Sequence, residues 1–468
     1  MEVEQEEAFS VVDIDAITSD KDLRLEAGAF GREAGRAASS IEGGKYSAVK
    51  FGELADAYMF GRSVKLMRAK SPYPFFQPSS VTDIKPQTDG YLYSRKQSEI
   101  DELRIHEGQI LLSRSGTVGN VTYVSKTLGD KYLSPDMIRI DCRNPEDSGY
   151  IYTYLKSSAC QKILHSLAFG AVIQHINPEH LNDIPVPNAP SNLRRKIHEL
   201  IVQSYALRDE SNILLDEAET LLIRSLGLPT FESLKREDKV LTFEAEYSAL
   251  AASGRFEASY HDPLFVEIVR SLQAGAEEVT TIGDERVSRK ILLPGRFKRV
   301  YVDEGYGAIF IGGKQIGELD PADKKYLAFS QHEDRIREEL TIHENMILIT
   351  CSGTIGNVAL VPEHWDGWTM THDIIRVLPA SENIAGYAYV FLASEWGREL
   401  VRRYKYGAVV EHIELEHVAS VPFPILRDKA AQYRINALAL AANEQRTRAY
   451  NLEREAVNIM EREIINPS

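Results

Sequence analysis

Four histidines raise the first chemical question. His175 and His180 stand five residues apart in FGAVIQHINPEHLNDIPVP (169–187), and His412 and His417 repeat that spacing in YGAVVEHIELEHVASVPFP (406–424). Two imidazoles could hold a metal if a third ligand converged on them. A five-residue step sets them on different faces of a helix, or on opposite faces of a strand. Structural or hydrogen-bonding roles at the end of a folded module are therefore the plainer expectation, with nucleic-acid contact next.

Two glycine segments, ILLSRSGTVGNV (110–121) and ILITCSGTIGNV (347–358), look at first like phosphate loops. The Lys-Ser/Thr of a nucleotide loop is missing, since Gly313-Lys314 is followed by Gln315. No G-x-G-x-x-G follows a strand-like run, and no Asn/Asp-Pro-Pro-aromatic motif for base methylation occurs. Pro135-Asp136 has the start of a nuclease motif, but Asp141-x-Arg143 stands where Glu-x-Lys is needed, and His372-Asp373 has no sequel. A turn between strands, its glycines supplying positive φ, accounts for each segment.

Stepping from Gly116 to Gly353 defines an offset of 237 that holds without a gap over a long distance. It pairs Ile105-His106-Glu107 with Ile342-His343-Glu344, Asp136-x-Ile138-Arg139 with Asp373-x-Ile375-Arg376, and Gly149-Tyr150 with Gly386-Tyr387. The two histidine segments keep the same register. Chance does not hold register that long, and the period far exceeds the ~20–50 residues of a solenoid unit. One domain is present twice. Short β-rich runs flank each glycine turn (109–113, 121–124, 347–350, 358–361), a helix is expected around 150–166 and 387–403, and Pro-x-Pro at 185–187 and 422–424 ends each copy.

After each copy comes a stretch free of Gly and Pro, residues 191–226 and 427–466. In the first, Leu193, Ile197, Leu200, Leu207, Leu214 and Leu221 lie on a four-three seam that Ser204, Ser211 and Ala218 complete. In the second the seam runs through Ile435, Leu438, Ala442, Gln445, Ala449, Leu452, Ala456 and Ile459. Packed antiparallel, two such helices would bury both seams and relate the copies by an approximate two-fold axis. The expected fold is α+β: two similar mostly-β modules separated by two long antiparallel helices. The expected parts are an acidic, disordered tail at 1–19, a module at 20–190, a helix at 191–226, a linker at 227–250, a module at 251–426 and a helix at 427–468.

Bulk properties set limits. With 468 residues, 43% hydrophobic and 26% charged, the chain reads as a soluble protein of two or three domains. Three cysteines, Cys142, Cys160 and Cys351, give no disulfide or zinc framework and fit a reducing cytoplasm. No run approaches the ~20 apolar residues of a membrane span. The net charge of −15 argues against a strongly basic DNA binder, but it is uneven, with −6 in residues 1–19 and −8 in residues 251–426. Against that background RSVKLMRAK (62–70) and RVSRKILLPGRFKRVYV (286–302) stand out as basic strips beside aromatic residues, upstream of each glycine turn.

Two copies of apolar–S-G-T-[VI]-G-N–V, each followed by [FY]-G-A-V-[IV]-x-H-I, Pro-x-Pro and a long helix, resemble the specificity (S) subunit of type I restriction–modification enzymes, over residues 20 to 468. The resemblance implies a non-catalytic, cytoplasmic, phage-defence protein whose modules are target-recognition domains, each reading half of a split double-stranded DNA site. The helices would dock methyltransferase (modification) subunits, which recruit the restriction motor–nuclease subunits. No cofactor is implied for this chain. S-adenosylmethionine, Mg and ATP would belong to the partners. Carried onto these residues, the DNA-facing groups would be Arg62, Lys65, Arg68, Lys70, Arg114, Ser115, Gln174 and His175 in module one. In module two they would be Arg289, Lys290, Arg296, Lys298, Arg299, Ser352, Glu411 and His412. Arg114 against Cys351 and Gln174 against Glu411 imply unlike half-sites, since Arg, Gln and Glu suit different base edges. Competing readings are an orphan DNA-specificity protein serving other effectors, a duplicated protein-binding scaffold, and a metal-dependent hydrolase built on the paired histidines.

Overall fold

A computed structural model describes residues 32–61, 65–67, 71–94, 96–170, 174–234, 242–322 and 324–466. The acidic segment 1–19 lies outside them. The chain forms two compact units, one of residues up to Asp209 together with those from Ala449 onward, the other of Glu210–Arg448.

In the first unit the strands are β1 (Ala48–Lys50), β2 (Ala55–Tyr58), β3 (Lys65–Met67), β4 (Pro74–Phe76), β5 (Gly90–Tyr93), β6 (Ile110–Ser113), β7 (Val121–Tyr123), β8 (Tyr132–Leu133), β9 (Met137–Cys142) and β10 (Pro185–Pro187). They make two four-stranded sheets, ordered β2-β9-β6-β7 and β3-β5-β4-β8, and a β1–β10 pair. In the second unit they are β11 (Glu278–Thr281), β12 (Ser288–Leu292), β13 (Tyr301–Val302), β14 (Gly307–Ile311), β15 (Lys325–Ala328), β16 (Ile347–Thr350), β17 (Val358–Leu360), β18 (Thr369–Met370), β19 (Ile374–Pro379) and β20 (Pro422–Ile425). The sheets are β12-β19-β16-β17 and β13-β15-β14-β18, with a β11–β20 pair. The repeat therefore holds strand for strand. In each unit one pair within the second sheet is parallel, β4 with β8 and β14 with β18.

The helix expected after β9 is two helices, α1 (Ser148–Lys156) and α2 (Ser158–Leu167). Ser157 takes extended backbone between them and its hydroxyl accepts from the Cys160 amide. Ser394 does the same for the corresponding pair in the second unit. No Gly or Pro marks the first break, which is why the sequence reads as continuous there, and a serine N-cap restarts the helix. At the second, Gly397 follows Ser394 by three residues, and a Cβ there would stand 2.1 Å from the Phe391 carbonyl oxygen.

Two long helices follow, α3 (Ser191–Leu226) and α4 (Lys429–Ile459), the latter continuing as a wider π turn over Met460–Ile465. They run antiparallel within each unit. In the first, Ser204 donates to the Ala449 carbonyl (2.8 Å) while Lys196 pairs with Glu455 (3.6 Å). In the second, Gln445 reaches Glu210 (3.3 Å) while Arg434 reaches Glu217 (3.1 Å).

Each helix buries a wider face than one seam. Ile197 is fully buried, but Leu193, Leu200, Leu207, Leu214 and Leu221 are only half-buried. The deeper residues are Ile201, Tyr205, Leu215 and Leu222, which join the module cores. On α4, Ile435, Leu438 and Ile459 are buried and Leu452 is half-buried. The helix ends are thus parts of the modules' cores, and a two-helix seam describes only one of the faces they bury.

Two repeated dipeptides explain how each module meets its helix. A Cβ on Gly149 would stand 2.7 Å from the His198 Cα, and one on Gly386 would stand 2.5 Å from the Asn436 carbonyl oxygen. Glycine is needed for the close approach. The neighbouring tyrosines reach the Pro-x-Pro strands, Tyr150 donating to the Pro187 carbonyl and Tyr387 to the Pro424 carbonyl.

At the same place the modules differ in one useful respect. The Gly149 amide donates to His198 Nδ1 (3.2 Å), whereas Asn436 Oδ1 accepts from the Gly386 and Tyr387 amides (2.8 and 3.1 Å). His198 must be neutral at Nδ1 to accept, and burial holds its pKa below the ordinary value despite Glu146, Asp147 and Glu199 nearby. Its folded pKa being depressed, its stabilisation is complete above the unfolded value of about 6.5 and is lost as pH falls below it. His198→Asn should therefore flatten the acid loss of stability, as read from urea midpoints at pH 5, 6 and 7.5. Equal slopes for wild type and variant would refute this joint.

Candidate nucleic-acid interface

The glycine turns come first, because they organise everything around them. Gly116 and Gly119 have φ of +77° and +97°, and Gly353 and Gly356 have +70° and +85°. The Ser113 hydroxyl accepts from the Asn120 amide (2.9 Å), and the Thr350 hydroxyl accepts from the Asn357 amide (3.0 Å). The Gly119 and Gly356 amides donate to the carbonyls of Ser113 and Thr350. These donors are committed to closing the turn.

Against each turn lies the tip of the histidine segment. Phe169 and His175 exchange both backbone hydrogen bonds, as do Tyr406 and His412. The Ile176 amide donates to the Arg114 carbonyl and the Ile413 amide to the Cys351 carbonyl. Two motifs some sixty residues apart in sequence, Ser115 with His175 and Ser352 with His412, are thereby bridged. Ser352 Oγ is 2.8 Å from His412 Nδ1, whereas His175 Nδ1 is buried without a hydrogen-bond partner among the described residues. His180 and His417 cap the next short helix, accepting from the amides of Asn177 and Glu414 (3.5 and 3.0 Å). Both histidines of a copy pack around one aromatic ring, Phe169 or Tyr406. Among the described residues no cluster of His, Cys, Asp or Glu could hold a metal ion.

A third element is the aspartate that precedes β9 and β19. The Arg114 guanidinium places Nη2 3.3 Å from Asn177 Oδ1 and Nη1 4.0 Å from Asp136. At the equivalent place Arg299 Nη2 donates to Thr371 Oγ1 (3.2 Å) and to His372 Nδ1 (2.9 Å), its guanidinium lying 5.3 Å from the centre of the Phe310 ring. His372 Nε2 is 3.3 Å from Asp373 Oδ1. With Nδ1 accepting, Nε2 carries the proton and stands near that carboxylate. Burial first, then Arg299, Arg296 and Arg335 against the pull of Asp373, holds His372 below the usual histidine range.

Of the other expected contacts, Arg62, Arg68 and Lys70 lie outside the described residues, and Lys65 is described only as a residue of β3, opposite Tyr93. Arg289, Lys290, Arg296 and Lys298 are exposed. Gln174 is exposed, and Glu411 is paired with Lys405 (2.8 Å). Burial pushes all three thiols, Cys142, Cys160 and Cys351, up to about 12, which leaves no thiolate near neutral pH.

Sequence reading missed the roles of Asp136, Asn177, Thr371, His372 and Asp373, although the aspartates sat in the repeat. It also missed Arg139 and Arg376, fully buried arginines that donate to backbone carbonyls. Arg139 reaches Leu103, Leu133 and Met137, and Arg376 reaches Leu340, Met370, Thr371 and Ile374. Leu133 and Met370 belong to the second sheet of each module, so each arginine pins one sheet to the other. Desolvation lowers both to about 10, still charged at neutral pH.

Residues 45–206 match the family model described as type I restriction modification DNA specificity domain. No curated protein matches the chain. Among solved structures the chain is similar to the S subunit of a type I restriction-modification system from M. genitalium, at 14% identity over 90% of this chain and 95% of that one, with a TM-score of 0.29. It is also similar to the HsdS subunit from Thermoanaerobacter tengcongensis, at 11% identity over 90% of this chain and 97% of that one, TM-score 0.28. At these values no residue correspondence is carried over. The match over 45–206 lies on the module whose strands the second unit repeats, and the chain thus carries a type I restriction–modification DNA specificity domain, followed by a second copy of the same fold.

Proposed function

We propose that each module reads one half of a bipartite, asymmetric duplex DNA site, and that the long helices dock methyltransferase subunits, which recruit the motor–nuclease subunits. Methylation, ATP hydrolysis and cleavage are then the partners' chemistry, and this chain is a reader without catalysis. The observation that carries the reading is the specificity-domain match over the first module together with the strand-for-strand repetition of its fold. Around equivalent glycine turns the polar residues differ: Arg114 stands where the second copy has Cys351, and Gln174 where it has Glu411. Equal scaffolds with unequal polar groups suit two unlike half-sites.

Co-expression with candidate methyltransferase subunits, followed by mapping of methylated adenines, tests this. A split, asymmetric motif is the expected outcome, and exchanging the first module for that of another family member should alter one half only. Methylation at a single undivided motif, or a change in both halves, would overturn it.

Charge sets a second expectation. At −15 overall, the chain alone should bind duplex DNA weakly at physiological salt and tightly only with its partners, because affinity grows with phosphates neutralised. Arg289, Lys290, Arg296 and Lys298 are the phosphate-holding groups of module two. Replacing any one by alanine should weaken binding evenly across sequences and reduce the slope of log K against log salt by about 0.9. Titrations at several salt concentrations read this directly, and a variant that changed base preference instead would reassign that residue.

A further inference from the structure

The aspartates at 136 and 373 are equivalent by the repeat, yet the arginine beside each comes from a different part of the module. In the first it is Arg114, at the end of β6, held by Asn177 and facing Asp136. In the second, that position is the buried thiol Cys351, and the guanidinium is supplied by Arg299, just ahead of β13. The second module has a thiol where the first has its arginine, and a different arginine is joined to the equivalent aspartate through His372 and Thr371.

We infer that this aspartate-backed arginine is the base-reading group of each module, and that each half-site contains a guanine read by it. The inference rests on the DNA-reading function proposed above. Three observations favour a base over a phosphate. First, the second module presents other cations, the exposed Arg289, Lys290, Arg296 and Lys298, that suit phosphate. Second, Arg114 faces Asp136 directly, and Arg299 connects to Asp373 through His372 and through Thr371, whose hydroxyl is 3.4 Å from Asp373 Oδ2. A neighbouring carboxylate cancels much of the attraction for a phosphate, while the directional N–H donors remain. Third, each guanidinium is anchored on Nη2 and only part-exposed, with Nε buried and unpartnered, so its orientation is set before DNA arrives. Among the described residues Nη1 of Arg299 makes no hydrogen bond. A fixed donor of this kind suits the guanine edge, which offers two acceptors, O6 and N7, in the major groove.

His372 is a positioning residue in this arrangement. Its Nε2 stands 3.3 Å from Asp373 Oδ1, a placement that favours the proton on Nε2 and leaves Nδ1 to accept from Arg299. Asparagine can present an acceptor at a similar place, and leucine cannot.

The test uses the full-length chain co-expressed with methyltransferase subunits, with methylated adenines mapped across a genome. Arg299→Gln should relax one guanine position in one half of the motif, raising methylation at sites altered there by about 10- to 100-fold relative to the intact motif. Arg114→Gln should do the same in the other half. His372→Leu should relax the same position as Arg299→Gln, and His372→Asn should restore it. A uniform fall at all sites with unchanged base preference would make these arginines phosphate contacts and overturn the inference, as would an unchanged motif. Relaxation confined to one half while His372→Leu has no effect would overturn the positioning role alone. If the unaltered chain yields no split motif, the proposed function fails first and this inference falls with it.

Discussion

Glu453→Ala is expected to cost the first unit about 3–5 kcal/mol, a large share of the ~5–15 kcal/mol that holds a typical domain. Glu453 is 2% exposed and accepts from the Tyr152 hydroxyl (2.8 Å), the Lys156 ammonium and the Arg208 guanidinium. Arg208 also lies 4.0 Å over the Tyr205 ring. Removing the carboxylate leaves two part-buried cations facing each other in a site of low dielectric. Glu453→Gln keeps the shape and one acceptor, and should cost less. Replacing all three charged groups by apolar residues of similar volume should come close to neutral, because the desolvation of the ions disappears with them. Urea unfolding followed by circular dichroism separates these outcomes. Equal midpoints for Glu453→Ala and wild type would show that the triad contributes nothing.

Arg376→Met is expected to damage the second module by a comparable amount. The methionine fills much of the volume but leaves the carbonyls of Leu340, Met370, Thr371 and Ile374 without their donor, at about 1–3 kcal/mol for each one left unsatisfied. All three tryptophans of the chain, Trp365, Trp368 and Trp396, are buried in this unit, and the first two are stacked at 5.5 Å. Tryptophan fluorescence therefore reports on the second unit by itself. Arg376→Met should lower the urea midpoint of the fluorescence transition, while Glu453→Ala should shift circular dichroism and leave that transition in place. An unchanged fluorescence midpoint for Arg376→Met would mean that this arginine does not hold the two sheets together.

The repeat was legible because both copies keep one register, and residues with strict backbone duties preserve it. Gly149 and Gly386 must admit a helix backbone, Tyr150 and Tyr387 must reach a proline carbonyl, and Asp136-x-Ile138-Arg139 with its copy sits where two sheets meet. The paired strands around the glycine turns followed from β-rich runs beside residues that tolerate positive φ. What stayed hidden has physical causes too. A seam read by threes and fours captures one stripe, and these helices bury several; Ile201, Tyr205, Leu215 and Leu222 fall between the stripes. Arg139, Arg376 and Glu453 look like surface charges in a sequence, since burial of an ion depends on partners far along the chain. Ser115, His175, Ser352 and His412 were readable as repeated residues, but that the fold brings Ser115 to His175 and Ser352 to His412 was not. Arg114 and Arg299 were each readable as candidates, but not as counterparts, because they come from unrelated positions and no offset relates them.

The first unit draws residues from two distant stretches of the polypeptide: Tyr152 and Glu453 are bonded across 301 positions, and Ala456, Ile459, Met460, Ile464 and Ile465 complete its core. Residues 210–448 form a unit of their own in between. During synthesis, the lobe made first must therefore wait while the lobe made second is translated in full. At about 5–20 residues per second that wait lasts on the order of tens of seconds. Throughout it Ile197, Ile201 and Tyr205 lack their late-arriving cover, so the lobe begun first cannot complete its core until the other has been made.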